Sequence, residues 1–491
     1  MSFINITNEL LNRTLTENGD KAYFSTLSPC VDYFAMAGVG RYDLVNALNL
    51  FIKAFYDDRN TALKLLFYTR DIREGLGERK AFRLLFNFLA CSYPDIAKVL
   101  IPYVPEYGRY DDLLSSLKTP IGDDILEFIQ NQLEIDLKNK EEGKPISLLA
   151  KWMPSINTSN DEARQTAKYI ISKMNLTNEE YRKMLSKLRK GIIVENNLRE
   201  KDYTFNYENV PSMAMNKYRD AFYNNDGERF GEYLDSLAKD EKKMNVGVLD
   251  VVNFINQLSR KIECNETELK YFDTTWKALV KEGEIKSRTL VVRDGSGSMY
   301  QGVPIHVANA MTLLTASRLT GEFHDKFITF SSRPQLIDIS GGKNIHEKLC
   351  MLKAHNDIAN TNIEKVYDLI LNVYKSENFK EEDAIERVLI ITDMMFDACE
   401  KSDKSTFEYF KEEFAKINYK MPEIVFWNVD DEATSFPVTK DEYGTKLISG
   451  ANKNIIDIVC SDFSKTPEDF MKNVITKYAF IDDLFKEESN D

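Results

Sequence analysis

Aspartate, serine and threonine side chains recur at three points in the C-terminal half of the chain. The segment Asp294-Gly-Ser296-Gly-Ser298 places a carboxylate and two hydroxyls at alternate positions of a glycine-containing loop, where their oxygens can converge. Thr361 precedes a predicted helix, and Asp393 ends an apolar run. Hard divalent cations prefer such oxygen ligands, and Mg²⁺ usually keeps several of its waters. The five residues therefore predict a site for Mg²⁺ or Mn²⁺.

Helix capping and phosphotransfer chemistry both compete with a metal site at the first loop. A β-to-α turn in which Ser and Asp only cap a helix explains residues 294–298, but it leaves Thr361 and Asp393 unexplained. An aspartate nucleophile of the phosphotransferase type also follows a first strand, yet that chemistry usually needs a second carboxylate where this chain has Ser296. The four histidines show no spacing typical of a paired ligand or catalytic set. We therefore expect a protein without enzymatic activity.

Alternating strands and helices must position these side chains. Short β-rich runs are predicted at residues 288–293, 326–330, 387–391 and 423–427, and helical patterns separate most of them, at residues 303–319, 363–374 and 406–417. Apolar strands that alternate with helices indicate a largely parallel, doubly wound α/β sheet covered on both faces. Ligand sites in such sheets lie at the carboxyl ends of the strands. Asp294 and Asp393 both fall at that edge.

In the first 283 residues, the apolar residues mostly follow helical spacing. Helices are predicted at residues 46–58, 61–72 and 79–92, with Gly and Pro between successive segments. Thr177 has the chemistry of a helix N-cap for the segment that follows it. Such a succession suggests stacked helical pairs of the solenoid kind, although no fixed-period repeat is present. We predict an α-helical domain over residues 1–283 and an α/β domain over residues 284–491.

Basic and aromatic side chains in the helical part are candidates for contact with nucleic acid. Tyr107, Tyr110 and Trp152 can stack on bases, and clustered cations can pair with phosphates. The plainer interpretation is a solvated surface, with the cations paired to nearby acids and the aromatic rings in the core. The candidate RNA-binding residues are Arg70, Arg73, Arg79, Lys80, Arg109, Lys151, Arg182, Lys183, Lys187 and Lys190.

Composition and charge limit these possibilities. The 491 residues carry a formal net charge of −14, which excludes a whole-molecule basic field for non-specific binding of nucleic acid. Divided at residue 283, the charge is about −3 in the helical part and −11 in the rest, so local basic faces remain compatible with RNA. None of the six cysteines lies in CxxC spacing. With no signal-peptide pattern and no membrane-length apolar run, we expect a cytoplasmic protein that does not bind membranes.

The three oxygen-bearing segments resemble the von Willebrand factor A domain, whose metal-ion-dependent adhesion site has a D-x-S-x-S loop, a separate threonine and a later T/S-D. The resemblance implies that Ser296, Ser298 and Thr361 bind the metal directly, and that Asp294 and Asp393 bind it directly or through water. It also implies an acidic protein partner, since a partner's carboxylate commonly completes the coordination shell in that family.

Three motifs in the helical part extend the resemblance. Residues 70–79, 105–112 and 151–155, together with the metal-site domain, are similar to the TROVE and von Willebrand A architecture of Ro ribonucleoproteins, and most of all to an uncharacterised bacterial and viral branch. The resemblance implies a ring of HEAT-like helices that binds small or single-stranded RNA, with no role for DNA. The alternative is a metal-dependent protein-interaction scaffold that binds no RNA.

Overall fold

The structure is a computed structural model that describes residues 3, 7, 10–190, 194–240, 242–330, 333–355, 362–402, 404–433, 435–462 and 464–486. The chain forms two compact units, each built from two separate stretches of sequence. Unit 1 contains residues 1–65 and 231–479, and unit 2 contains residues 66–230 and 480–491.

Helices account for most of the described residues. The strands are β1 (Arg13–Leu15), β2 (Lys21–Tyr23), β3 (Thr289–Asp294), β4 (Lys326–Phe330), β5 (Leu336–Asp338), β6 (Arg387–Thr392), β7 (Glu423–Asn428) and β8 (Thr445–Ser449). The helices are α1 (Pro29–Met36), α2 (Leu44–Asp57), α3 (Arg59–Arg70), α4 (Arg79–Ser92), α5 (Pro94–Leu100), α6 (Val104–Tyr107), α7 (Tyr110–Leu114), α8 (Gly122–Glu141), α9 (Leu149–Trp152), α10 (Asp161–Lys173), α11 (Asn178–Arg189), α12 (Val194–Glu200), α13 (Ser212–Ala238, interrupted at Asp226), α14 (Val251–Ser259), α15 (Glu266–Lys281), α16 (Pro304–Arg318), α17 (Ile345–Ala354), α18 (Ile363–Tyr374), α19 (Thr406–Lys416), α20 (Asn454–Ser461), α21 (Pro467–Ile475) and α22 (Phe480–Leu484).

Unit 1 is organised around a six-stranded sheet in the order β5-β4-β3-β6-β7-β8. All neighbouring strands are parallel except β5, which runs antiparallel to β4. Every residue of β3 and β6 is buried, as expected for strands covered on both faces. The prediction of a largely parallel α/β sheet is confirmed, and β4 and α18 begin and end at the predicted residues.

Side chains alternate between the two faces of the sheet. On one face, Val292, Ile390 and Phe426 pack in a core with Tyr367 of α18 and Phe410 of α19. Helix α16 contacts β3 and β6 and is buried along nearly its whole length. A helix buried on all sides has no separate polar face, and its polar residues, among them Asn309 and Arg318, are themselves buried.

The N-terminal segment packs in unit 1 beside the sheet. The Thr16 hydroxyl donates to the carbonyl of Phe396 at 2.6 Å, and Tyr23 forms a β-bridge with Phe436. Gly38 approaches the backbone of Ser449 so closely that a Cβ there would lie 1.9 Å from the Ser449 carbonyl oxygen. The compact units are divided differently from the predicted boundary at residue 283, because residues 10–65, 231–240 and 242–283 belong to the unit that contains the sheet.

Unit 2 is helical, and its last helix comes from the C-terminal end of the chain. Phe480 of α22 stacks on Tyr103 and Tyr107 with ring centroids 4.5 and 5.3 Å apart, and it meets Phe67 edge-on at 5.1 Å. The predicted N-cap at Thr177 is confirmed by a capping box with Glu180. Every helix within the described residues is too short or too polar to span a lipid bilayer.

Asp20 provides a test of how the hairpin of β1 and β2 packs against the rest of unit 1. Its carboxylate is 6% exposed and accepts a hydrogen bond from the backbone amide of Thr406 at 3.2 Å. Burial raises the pKa of Asp20 to about 6, above the ordinary value of 3.8. The folded chain therefore holds this proton more tightly than the unfolded chain, and its stability falls as the pH rises from about 3.8 to about 6.

We predict that Asp20→Asn removes this pH dependence. Between pH 5.5 and pH 8, the free energy of unfolding of wild type should fall by about 1 kcal/mol relative to the variant. Urea unfolding followed by circular dichroism at the two pH values measures the difference. Asp383→Asn, at an exposed position, is the matched control and should track wild type. If wild type and Asp20→Asn differ in free energy of unfolding by the same amount at both pH values, the packing described for Asp20 is contradicted.

Candidate functional site

The register of the parallel strands brings two chemically active strand ends together. Arg293 of β3 pairs with Ile391 of β6, so Asp294 and Thr392 follow at the same carboxyl edge. The Thr392 hydroxyl donates to Asp294 Oδ2 at 2.6 Å. The backbone amide of Ser296 donates to Asp294 Oδ1 at 2.8 Å, which curls the loop back over the strand end. Asp294 is thereby fixed in one orientation with no exposed surface.

The two loop serines lie side by side. Ser296 Oγ and Ser298 Oγ are 3.1 Å apart, close enough for one hydroxyl to donate to the other. Ser296 is buried, whereas Ser298 is partly exposed at the start of a short 3-10 turn. The alternate spacing predicted from the sequence therefore does place both hydroxyls on the same side of the loop.

Asp393 completes the described part of the site. Its Oδ1 accepts from the Met395 amide at 3.1 Å, whereas its Oδ2 is buried and has no hydrogen-bond partner among the described residues. Met394, between Asp393 and Met395 in the chain, has a φ of 69°. A residue other than glycine adopts this left-handed conformation only under constraint. A buried carboxylate oxygen with no donor is costly, and a cation would satisfy it.

The pKa values of the two aspartates are also consistent with a site for a cation. Burial raises the pKa of Asp294, and the negative charge of Asp393 raises it further. Burial also raises the pKa of Asp393, while the side chain of Ser298 acts in the opposite direction. Two buried carboxylates held close together repel each other, so the pair is unstable when both are ionised and no positive charge compensates them.

The structure brings together four of the five predicted metal ligands. Asp294, Ser296, Ser298 and Asp393 share the carboxyl edge of the sheet, and Thr361 lies outside the described residues. Within the part of the chain that the structure describes, there is no group of three or more His, Cys, Asp and Glu side chains able to hold a metal. A metal here would therefore depend on hydroxyl ligands, and the donor set of carboxylates and hydroxyls fits a hard divalent cation.

The predicted RNA-binding residues all lie in unit 2, but their environments differ. Arg70 is only 2% exposed, and its Nε donates to Asp112 at 2.7 Å. Asp112 has no exposed surface and also accepts from Arg83 Nε at 2.8 Å and from the Arg109 amide at 3.0 Å. Arg70 is thus a structural residue that joins α3 to α7, and it is not available to a phosphate at the surface.

Arg109 and Trp152 form a stacked pair. The Arg109 guanidinium lies 4.0 Å from the centroid of the Trp152 ring, and Lys151 Nζ lies 5.3 Å from it. Both Arg109 and Trp152 are partly exposed. Burial lowers the pKa of Arg109, and Asp111, 3.2 Å away, opposes that effect. Of the predicted stacking residues, Tyr107 packs instead on Phe480.

Helix α11 presents the densest basic surface. Lys183 pairs with Glu179 and Lys187 pairs with Glu141, both at 2.8 Å. Arg182 and Lys190 are exposed, and among the described residues neither side chain makes an ion pair. Arg73, Arg79 and Lys80, before and at the start of α4, are exposed as well, and Arg73 donates to the Glu106 carbonyl.

Sequence reasoning missed the part played by Arg189. Its guanidinium donates to the carbonyls of Ala150 and Met153 and to the Ser155 hydroxyl, at 2.6–2.8 Å. These bonds fasten the end of α11 to the segment that carries Lys151 and Trp152. No local pattern distinguishes this arginine from its exposed neighbours, because its partners lie 34–39 residues away.

Known proteins resemble the chain over nearly its full length. A family model described as DUF2828, a domain of unknown function, matches residues 16–105 and 172–288, and a second, DUF7788, matches residues 288–483. The uncharacterized protein L728 of Acanthamoeba polyphaga mimivirus is 30% identical over 509 residues, which cover 96% of this chain and 88% of the viral protein. The crystal structure of the Deinococcus radiodurans Ro (RSR) protein aligns with 92% of this chain and 100% of its own, at 10% identity and a TM-score of 0.34.

Asp112 should carry much of the stability of unit 2. We predict that Asp112→Ala lowers the free energy of unfolding by roughly 3–5 kcal/mol, because it leaves two arginines without their buried counterion. Asp111→Ala is the matched control. Its carboxylate pairs with Arg83 and Arg109 but is 20% exposed, so the loss should stay within about 1 kcal/mol. Equal losses for the two variants in urea unfolding would contradict the structural role given to Asp112.

Proposed function

The chain belongs to the family of the uncharacterized mimivirus protein L728, and we propose that this member is a non-enzymatic RNA-binding protein of the Ro-like ribonucleoprotein type. In this proposal the helices form a HEAT-like array that binds small or single-stranded RNA. The α/β part is a von Willebrand A-like domain that holds Mg²⁺ or Mn²⁺. The motif resemblance of residues 70–79, 105–112 and 151–155 supports the assignment.

The observation that carries the RNA proposal is the exposed basic face of α11. Lys183 and Lys187 lie four residues apart on one side of the helix, and Lys190 directly follows its last residue. Arg182 and Lys190 are not neutralised by acids of the described chain. Cations presented in a row can neutralise successive phosphates and release their counterions.

A base-stacking position lies on the segment that Arg189 fastens to this helix. The Trp152 ring, with Arg109 over it, offers an aromatic and guanidinium platform of the kind on which unpaired bases stack. Phosphate contacts on α11 and a stacking position near residue 152 together suit single-stranded RNA better than a regular duplex. In duplex RNA, the bases are already stacked on one another and are not free to stack on protein.

For the metal, we propose that Asp294, Ser296, Ser298 and Asp393 form the described part of the coordination shell, with Thr361 as a further ligand. The unsatisfied Asp393 Oδ2 and the repulsion between the two buried carboxylates support this arrangement. A bound divalent cation would supply an open coordination position for an acidic group of a partner. Ser298, which is partly exposed, would be the ligand nearest to solvent, whereas Asp294 and Ser296 are buried.

RNA binding is tested with the double variant Arg182→Gln/Lys190→Gln. We expect weaker binding to single-stranded RNA and a slope of log K against log salt whose magnitude is smaller by about 1.4, because two phosphate contacts are lost. The measurement is fluorescence anisotropy at 50 to 200 mM salt. Lys118→Gln/Arg199→Gln removes the same charge from exposed positions of unit 2 outside the predicted set and should leave both quantities unchanged.

Two results would decide against the RNA proposal. Failure of wild type to bind single-stranded or misfolded RNA at low salt would sink it and would favour the protein-interaction scaffold. Equal weakening in both double variants would show only a dependence on net charge. Co-purified nucleic acid, seen as an absorbance ratio that falls after ribonuclease treatment, would support the proposal.

Metal binding is tested by thermal unfolding with and without Mg²⁺ or Mn²⁺. Wild type should unfold at a higher temperature with the metal present, since binding to the folded state stabilises it by mass action. Asp294→Asn and Asp393→Asn should each abolish that shift while remaining folded, because each removes a ligand and relieves the repulsion. Asp383→Asn serves as the control and should retain the full shift. Persistence of the shift in both site variants would refute the assignment.

A further inference from the structure

Three cationic or titratable side chains from three helices meet on unit 1, outside the proposed metal ligands. Arg260 directly follows α14, His306 lies in the first turn of α16, and Lys353 lies in the last turn of α17. Helices α14, α16 and α17 pack against one another. All three side chains are exposed. We call Arg260, His306 and Lys353 the cationic trio.

A hydrogen bond connects two of the segments that carry the trio. Lys353 Nζ donates to the hydroxyl of Ser259 at 2.9 Å, so the end of α17 is tied to the residue before Arg260. Partial burial of the His306 ring lowers its pKa, and the positive charges of Lys353 and Arg260 lower it further. The three groups therefore face one shared patch of surface.

No acid of the described chain neutralises this patch. Neither Arg260 nor Lys353 has a carboxylate oxygen within 4.0 Å among the described residues. Helix C-termini stabilise Arg260 and Lys353 one at a time, but they give no reason for a third such group beside them. In a chain with a net charge of −14, an uncompensated positive patch is a local exception that an anion would stabilise.

The trio lies at the same edge of the sheet as the candidate metal loop. Arg293, the residue before Asp294, is buried and donates from Nη2 to the carbonyl of His355, two residues after Lys353. Its Nη1 donates to Asn309 of α16 at 2.6 Å, one helical turn beyond His306. The first turn of α16 also directs the positive end of its helix dipole to this edge.

We propose that Arg260, His306 and Lys353 form a phosphate-binding site at the carboxyl edge of the sheet, separate from the metal ligands and from the basic surface of unit 2. An arginine fork and a lysine ammonium supply charge-assisted donors to phosphate oxygens, and the His306 ring supplies a further donor. The ligand is a phosphate group, either free or carried by a nucleotide or an RNA strand. This site does not require the metal to be bound.

Histidine resonances provide a direct readout. The chain has four histidines, so the ring signals of His306 are assigned by comparison with His306→Gln. Inorganic phosphate is titrated at constant ionic strength against chloride in the presence of EDTA, which keeps the result independent of metal binding. We expect saturable movement of the His306 signals, and roughly hundredfold weaker binding in Arg260→Gln/Lys353→Gln, about tenfold for each of the two charge-assisted hydrogen bonds that are lost.

Lys286→Gln is the control for the removal of an exposed positive charge. Lys286 is 83% exposed and precedes β3, at the opposite edge of the sheet, so this variant should bind phosphate as wild type does. Non-saturable movement of the His306 signals, or unchanged binding in the double variant, would overturn the proposal. So would equal weakening in Lys286→Gln.

Short oligoribonucleotides then identify the source of the phosphate. Competition by a 5′-phosphorylated trinucleotide that exceeds competition by its 5′-hydroxyl counterpart supports recognition of a terminal phosphate. Equal competition by the two supports recognition of internal phosphates. Competition by neither supports a site for free phosphate only. Failure of this site would leave the RNA and metal proposals standing, because none of their test variants touches the trio.

Discussion

The hydrogen bond from Thr392 to Asp294 is the contact on which the arrangement of the α/β site depends. It joins the ends of two neighbouring parallel strands, and it exists only because the register places residues 294 and 392 at the same level. The same register brings the carboxylate of Asp393 beside that of Asp294 in a buried place. Parallel pairing thus creates a repulsion between two carboxylates that the apolar strands cannot relieve, and a proton or a cation would reduce it.

In unit 2, a buried carboxylate lies between positively charged side chains. Asp112 holds Arg70 and Arg83 together, and their charges would otherwise repel. Basic residues that look alike in sequence therefore separate into two classes by burial. Arg70 and Arg189 hold helices and loops together, whereas Arg182 and Lys190 remain exposed to solvent. Only the second class can exchange counterions for phosphates.

Continuous apolar runs made the central strands predictable, and helical periodicity did the same for α4 and α18. Several further features depended on distant partners. Strand β8 was not predicted because it contains a charged residue, Lys446. The Lys446 ammonium is buried 2.9 Å from a carboxylate oxygen of Glu423 and 3.1 Å from one of Asp462. The hairpin of β1 and β2 is too short to show a pattern. The burial of Arg70 depends on an aspartate 42 residues away. Patterns report local periodicity, and they do not report which distant charge will be brought close.

The carboxyl edge of the sheet carries side chains of both charges. A buried pair of acids and an exposed trio of bases lie at one end of one sheet, yet they do not neutralise each other. Arg293 stands between them, buried and occupied by Asn309 and the His355 carbonyl. Because the acids are buried and the bases are exposed, the two proposed sites would attract opposite ligands, a cation within the loop and an anion on the surface. A net charge of −14 conceals this division, since it counts both sets together.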